Sequence, residues 1–161
     1  MTMMRVGLAG VELTTAEKRE LTRRLIDAFC SVEVGQAVEA ARAGFMVRYE
    51  TLAAEDLWVG DRPMVDAGPS ERAAVIQAQV MAGPWNDAMK AELFARLETA
   101  VREVAGMGKR GAGADFWMTF VEVPEGGWGL GGRAVSIADL APVFTEDRQE
   151  RIRSYLASRK D

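Results

Sequence analysis

Lys18-Arg19-Glu20-Leu21-Thr22-Arg23-Arg24-Leu25-Ile26-Asp27-Ala28 returns 72 residues later as Lys90-Ala91-Glu92-Leu93-Phe94-Ala95-Arg96-Leu97-Glu98-Thr99-Ala100. Lys18, Glu20, Leu21, Arg24, Leu25 and Ala28 all find the same residue type 72 positions on. A shift of 71 superposes Phe45 on Phe116, Gly60 on Gly131 and Arg62 on Arg133, and a shift of 70 superposes Trp58 on Trp128. The drift needs only two single-residue gaps. Self-similarity in this order marks a duplicated structural unit. The chain reads as a single domain, 1–161, with unit one at 3–66, unit two at 73–140 and a C-terminal helix at 145–158.

Working outward from the repeat, each unit predicts the same elements. Met4, Val6 and Leu8 alternate with Arg5 and Gly7, and Ile76, Ala78 and Val80 alternate with Gln77 and Gln79. Period two with one polar face is a half-buried strand. Thr14 with Glu17 three residues on is a capping box, and Asn86 occupies the matching position in unit two. The apolar stripes Leu21, Leu25, Ala28, Phe29 and Met89, Leu93, Leu97, Ala100, Val101 follow at helical spacing. Second strands are expected at 45–52 and 116–123. Strand, helix and strand of these lengths make a βαβ unit with parallel strands. The fold class is therefore α/β in the two-layer α+β sense. Two tandem βαβ units form a four-stranded mixed sheet with two helices on one face, followed by the C-terminal helix capped by Thr145.

Strand 116–123 carries Phe116, Met118 and Phe120 on one face, and Trp117, Val121 and Val123 on the other. Helices cover one face. The second needs cover that the remaining chain is too short to give, so another subunit is expected there.

Composition narrows the chemistry. The 161 residues have 48% hydrophobic content and a net charge of −4, which suits a soluble globular chain and disfavours a nucleic-acid partner. There is no histidine, which removes Ser-His-Asp and Cys-His catalysis and histidine metal ligands. The single cysteine, Cys30, permits no intrachain disulfide and no thiolate cluster, and beside Phe29 it reads as a core residue. No metal, no cofactor and no membrane partner are expected, and the chain is expected to be cytoplasmic. Gly106-Met107-Gly108-Lys109-Arg110-Gly111 matches a dinucleotide fingerprint but lies between a helix and a strand, in the wrong order. Gly127 to Gly132 matches too, with no further βαβ unit after it.

After each second strand comes a turn-rich segment. Glu50 is followed by Trp58, Gly60 and Arg62, and Glu122 by Trp128-Gly129-Leu130-Gly131-Gly132-Arg133. An acidic residue on the strand, then an aromatic, then Gly-x-Gly-Gly resembles the tautomerase superfamily, the 4-oxalocrotonate tautomerase group and its double-length relatives. Residues 3–140 carry the resemblance. It implies a small trimeric enzyme acting on unsaturated or keto acids. An N-terminal proline amine would be the acid–base group, with arginines holding the substrate carboxylate. An α-amine suits that work, since its ordinary pKa lies near neutrality.

The sequence departs from that pattern at the base. Aligned on the helix start, the family's proline falls at Met3, and the first proline of the chain is Pro63. Leu13 stands where the family has an arginine, and Met81-Ala82-Gly83-Pro84-Trp85 where the double-length relatives have arginines. The candidates that remain are Met1, Thr2 and Glu122 for proton transfer, and Arg133, Arg62, Trp128 and Trp58 for a small carboxylic acid. Plainer roles compete: ion pairing for the glutamates and arginines, packing for the tryptophans. A homotrimer is expected, acting as a tautomerase, isomerase or related lyase or hydratase of weakened or altered chemistry. The alternative is a non-catalytic binding or structural trimer of the same fold.

Overall fold

A computed structural model describes residues 1–67, 71–108 and 115–159. The expected loop residues Lys109, Arg110 and Gly111 lie outside them. Strand β1 (Thr2–Ala9), helix α1 (Thr15–Phe29) and strand β2 (Phe45–Leu52) make the first unit. Strand β5 (Ala73–Met81), helix α3 (Asp87–Val104) and strand β6 (Phe116–Val123) make the second. The sheet order is β2-β1-β5-β6, parallel within each unit and antiparallel at the β1–β5 seam. Thr2 faces Val80 and Ala9 faces Ala73 across that seam, so the two units run head to tail.

The caps of α1 and α3 form as the sequence predicts, whereas the Thr145 side chain makes no capping hydrogen bond to the C-terminal helix. Thr14 Oγ1 accepts from the Glu17 N–H at 3.2 Å, and the Glu17 carboxylate accepts from the Thr14 N–H at 2.8 Å. The Asn86 side chain accepts from the Met89 N–H at 2.9 Å. Helices α1 and α3 pack on each other and on one sheet face. Met4, Val6, Ile76, Ala78 and Val80 from the strands meet Leu21, Leu25, Leu93, Leu97 and Val101 from the helices, all fully buried. Each such aliphatic side chain contributes about 1.5–3 kcal/mol through burial.

Three features go beyond the sequence pattern. Strand β1 begins at Thr2, earlier than the Met4–Leu8 alternation suggests. Helix α1 runs into a π turn, Cys30–Val34, closed by Gly35 at φ 82°, and a short helix α2 (Glu39–Arg42) follows. The tryptophan segments are short hairpins: β3 (Trp58–Val59) with β4 (Arg62–Pro63), and β7 (Gly129–Leu130) with β8 (Arg133–Ala134). Gly131 and Gly132 link the latter pair at φ 58° and 80°, the doubly left-handed turn whose twist matches a hairpin.

After β8 come helix α4 (Ile137–Leu140), a 3-10 turn at Ala141–Val143 and helix α5 (Glu146–Ala157). These elements fold back over the Met1 end of the sheet. Ile137, Phe144 and Ile152 form a second core there with Cys30, Val34, Ala41 and Met81, with Met1, Phe45 and Trp128 packed against it. The Thr145 N–H donates to the Val34 carbonyl at 3.0 Å, and the Gln36 side chain donates to the Val143 carbonyl at 2.9 Å. Among the described residues no helix is long and apolar enough to cross a membrane.

Candidate functional site

The start of β1 is held on both sides. The Thr2 N–H donates to the Gly44 carbonyl at 3.0 Å, and the Met81 N–H donates to the Met1 carbonyl at 3.2 Å. Met1 is thereby fixed in a narrow crevice of about 50 Å³, walled by Glu33, Ala41, Phe45, Leu140 and Phe144. A second, tighter crevice of about 10 Å³ adjoins it; Gly83, Pro84, Trp85, Met89, Ile137, Arg148, Arg151 and Ile152 line it. Glu33 and Phe144 line both.

The π turn explains Glu33. A widened turn is common at functional positions and alters which way side chains leave the helix. Here Cys30, Val32 and Val34 go to the core while the Glu33 carboxyl enters the crevice wall. Among the described residues it has no hydrogen bond and no salt bridge. Burial pushes it up to about 7, offset in part by the positive Met1 amine. Burial in turn lowers the Met1 α-amine from its ordinary value, against the pull of Glu33. Burial disfavours the charged form of each group while their mutual attraction favours the ion pair, so the two titrate together.

Stability follows. Below pH 4.5 Glu33 is protonated in folded and unfolded chains alike. Between 4.5 and about 7 only the folded chain keeps the proton, so ionisation progressively destabilises it. The full effect is on the order of 3 kcal/mol. The amine has the opposite sign: its folded-state proton leaves early, so stability rises with pH towards 8.0. Glu33→Gln is expected to remove the downward slope between pH 4.5 and 7, measured by denaturant unfolding across that range.

The other expected residues are distributed unevenly. Thr2 is buried and its Oγ1 has no partner. Trp128 packs against the Met1-end core with a buried, unpartnered indole N–H. Arg133 sits exposed on the β7–β8 hairpin beside it. Glu122 is held by Lys90 at 2.7 Å on the helix side of β6. Trp58 is 58% exposed and donates its indole N–H to the Glu55 carbonyl at 3.0 Å. Trp58 and Arg62 belong to the hairpin that packs at Ala9, the far end of β1. At about 3.3 Å per residue they stand roughly 25 Å from Met1. Cys30 is fully buried, and burial raises its thiol to about 11, so it is inert as a nucleophile.

Sequence reasoning missed Glu33, Arg148 and Arg151. Their signal is faint but present. Glu33 stands between Val32 and Val34 at a helix end, and Arg148 and Arg151 share the stripe of Ile152 on α5.

No family profile and no curated protein sequence matches the chain. Solved structures do. Native fused 4-OT aligns at a TM-score of 0.65 and 24% identity, over 82% of this chain and 94% of that one. A fused 4-OT described as a symmetric trimer aligns at 0.64 and 22%, over 86% and 98%. Macrophage migration inhibitory factor of Toxoplasma gondii aligns at 0.63 and 18%, over 83% and 99%. The duplicated βαβ sheet thus has the fold of these fused 4-OT structures.

Proposed function

We propose that the protein catalyses proton transfer on small enol or unsaturated carboxylic acids, as an isomerase or a related lyase or hydratase, with the Met1 amine in place of a proline. The observation that carries this reading is the seat of that amine: an apolar crevice at the start of β1, beside Glu33, with its basicity lowered by burial. A neutral amine removes a proton from the carbon next to a substrate carbonyl. The C–H electron pair moves to the carbonyl oxygen, giving an enolate, and the ammonium returns the proton to that oxygen or to another carbon. In this reading the Trp128 N–H and the Thr2 hydroxyl, both buried without a partner, would hydrogen-bond the substrate oxygens, and Arg133 would draw in the anion. Glu122 is a weaker candidate, being engaged with Lys90. Trp58 and Arg62 enter such a site only across a subunit contact. We further propose a homotrimer, with the helix-free sheet faces turned inward.

The test is deuterium exchange at the carbon beside the keto group of 2-oxobutanoate, followed by NMR. Exchange above buffer rates is expected, and N-terminal acetylation is expected to lower it by about 10²–10⁴-fold, the ordinary worth of a positioned base. Equal exchange by the acetylated protein would remove the amine. Binding without exchange is the result expected of a non-catalytic trimer that keeps the fold.

A further inference from the structure

The Met1 crevice is nearly closed. Its volume of about 50 Å³ takes a few water molecules, and the tighter crevice beside it, at about 10 Å³, takes about one. An ordinary ligand pocket has roughly 300–1,000 Å³. The fold-back segment supplies one wall of both: Ile137 and Leu140 from α4, Phe144 from the link, and Arg148, Arg151 and Ile152 from α5. Its two helices are held very differently. Helix α4 is seated firmly. Ser136 and Asp139 form a capping box, and the Glu125 carboxylate accepts from the Ile137 N–H at 3.0 Å. Ile137 lies so close to Gly83 that a Cβ there would stand 2.9 Å from its Cδ1. Helix α5 is tied at its start, where the Thr145 N–H donates to the Val34 carbonyl at 3.0 Å. Past that point its anchors are weak. Ile152 is its one fully buried side chain, and Arg151 reaches only the Met89 thioether, at 3.8 Å. The helix has 12 residues, no capping bond from Thr145 and no basic residue in its last turn, so little within it favours helix. Seating it also buries the Arg148 Nε–H with no acceptor among the described residues, since Asp147 lies 3.7 Å away, beyond hydrogen-bonding distance. An unmet buried donor opposes the seated position. Few buried apolar contacts around a segment tied at one end mark a part that opens by itself.

We propose that α5 is a lid: it swings about Thr145 while α4 stays seated, and the Met1 crevice admits a small molecule only while α5 is lifted. Lifting takes Arg148, Arg151 and Ile152 off the tighter crevice and bares Trp85, Met89 and Glu33. Glu33 and Phe144 border both crevices, so the opened one leads on to the Met1 amine. Ile152 is the latch, and the unmet Arg148 donor keeps the latch light. A lid of this kind keeps water from a reacting amine and ties turnover to its own opening. The inference rests on the proposed function only for the chemistry behind the lid.

Amide hydrogen exchange on the full chain, followed by mass spectrometry, tests it. The α5 amides are expected to exchange about a hundredfold or more faster than those of Leu93–Val101 in α3, which open only with the core. Ile152→Ala is expected to quicken α5 exchange about tenfold or more, and with it the reductive methylation of the Met1 amine by formaldehyde and cyanoborohydride. Arg148→Met, which removes the unmet donor, is expected to slow both. Arg153→Ala, on the solvent side of α5, is expected to change neither. Circular dichroism checks the folding of every variant, and where Ile152→Ala unfolds, Ile152→Val replaces it. Amides of α5 as slow as those of α3, or methylation indifferent to the Ile152 and Arg148 substitutions, overturns the lid. Neither measurement uses a substrate, so lid and chemistry fail separately. A lid that opens over an amine giving no deuterium exchange in 2-oxobutanoate would sustain the lid and remove the catalytic reading. Deuterium exchange by a protein whose α5 stays as protected as α3 would do the reverse.

Discussion

Replacing Trp117 and Val121 together by glutamate is expected to leave a single chain in solution, whereas the proposed trimer would sediment at three times the 17.6 kDa mass of one chain. Both residues lie on the sheet face opposite the helices, 54% and 39% exposed, and Met46 on β2 adds a third large side chain, 58% exposed. Their neighbours Phe116, Met118 and Phe120 point the other way, into the helix layer. The exposed face also bears Arg48 paired to Glu50 at 3.2 Å, so its centre and its edge differ in polarity. A partly apolar face flanked by charges fits a subunit contact. Two carboxylates introduced there would be desolvated without partners on assembly, at several kcal/mol each, repeated by symmetry. Light scattering or sedimentation at micromolar concentration reads the outcome directly. A monomeric unsubstituted protein would remove the trimer, and a trimeric double variant would remove this face from it.

Arg102→Met is expected to be the most costly single change in the helix layer, at about 3–5 kcal/mol, because it takes a bidentate guanidinium from a buried carboxylate. Asp115 is 3% exposed and receives both Arg102 terminal nitrogens at 2.8 Å. Arg102 also meets Glu98 at 2.8 Å and the Gly108 carbonyl at 2.8 Å. The Asp115 hydrogen bonds, foremost, raise the guanidinium's already high pKa, so Arg102 stays charged. The cluster fixes the end of α3 to the entry of β6, while the Asp115 carbonyl accepts from the Ala74 N–H at 2.8 Å on the neighbouring strand. Denaturant midpoints of the single variant and of Arg102→Met with Asp115→Leu separate two effects. The double variant is expected to recover much of the loss, since replacing both ions by apolar groups leaves no buried carboxylate short of its guanidinium. Equal losses in both would show that geometry, not the carboxylate's lost guanidinium, carries the effect.

Elements that rest on local signals were legible. The Thr14–Glu17 box, the Asn86 cap and the period-two strands specify structure within a few residues, and the repeat supplied the pairing of units. The tautomerase-type hairpins were legible for the same reason, since Gly131-Gly132 dictates its own turn. The crevice was not. Met1 was displaced in the reading because alignment on the helix start cannot see that β1 extends back to Thr2. Glu33 is turned inward by a π turn that no propensity announces. Arg148 and Arg151 went unread because only the placement of α5 over the Met1 end brings them to the crevice edge. Arg62 and Arg133 looked equivalent in the repeat, yet the head-to-tail seam sends their hairpins to opposite ends of β1.

The fold-back of the last elements over the first strand also sets an order of events during synthesis. Val34 waits for Thr145, and Gln36 for Val143, partners more than a hundred positions later in translation. The first βαβ unit has all of its own parallel pairing by Leu52, and its helix is capped locally, so it can begin to condense while the ribosome is still at work. Its Met1 end stays uncovered until α5 emerges. Closing so large a loop is slow and comes late. The nascent chain therefore carries an open apolar edge for most of its production, and the Met1 crevice is walled only once α5 is free of the exit tunnel.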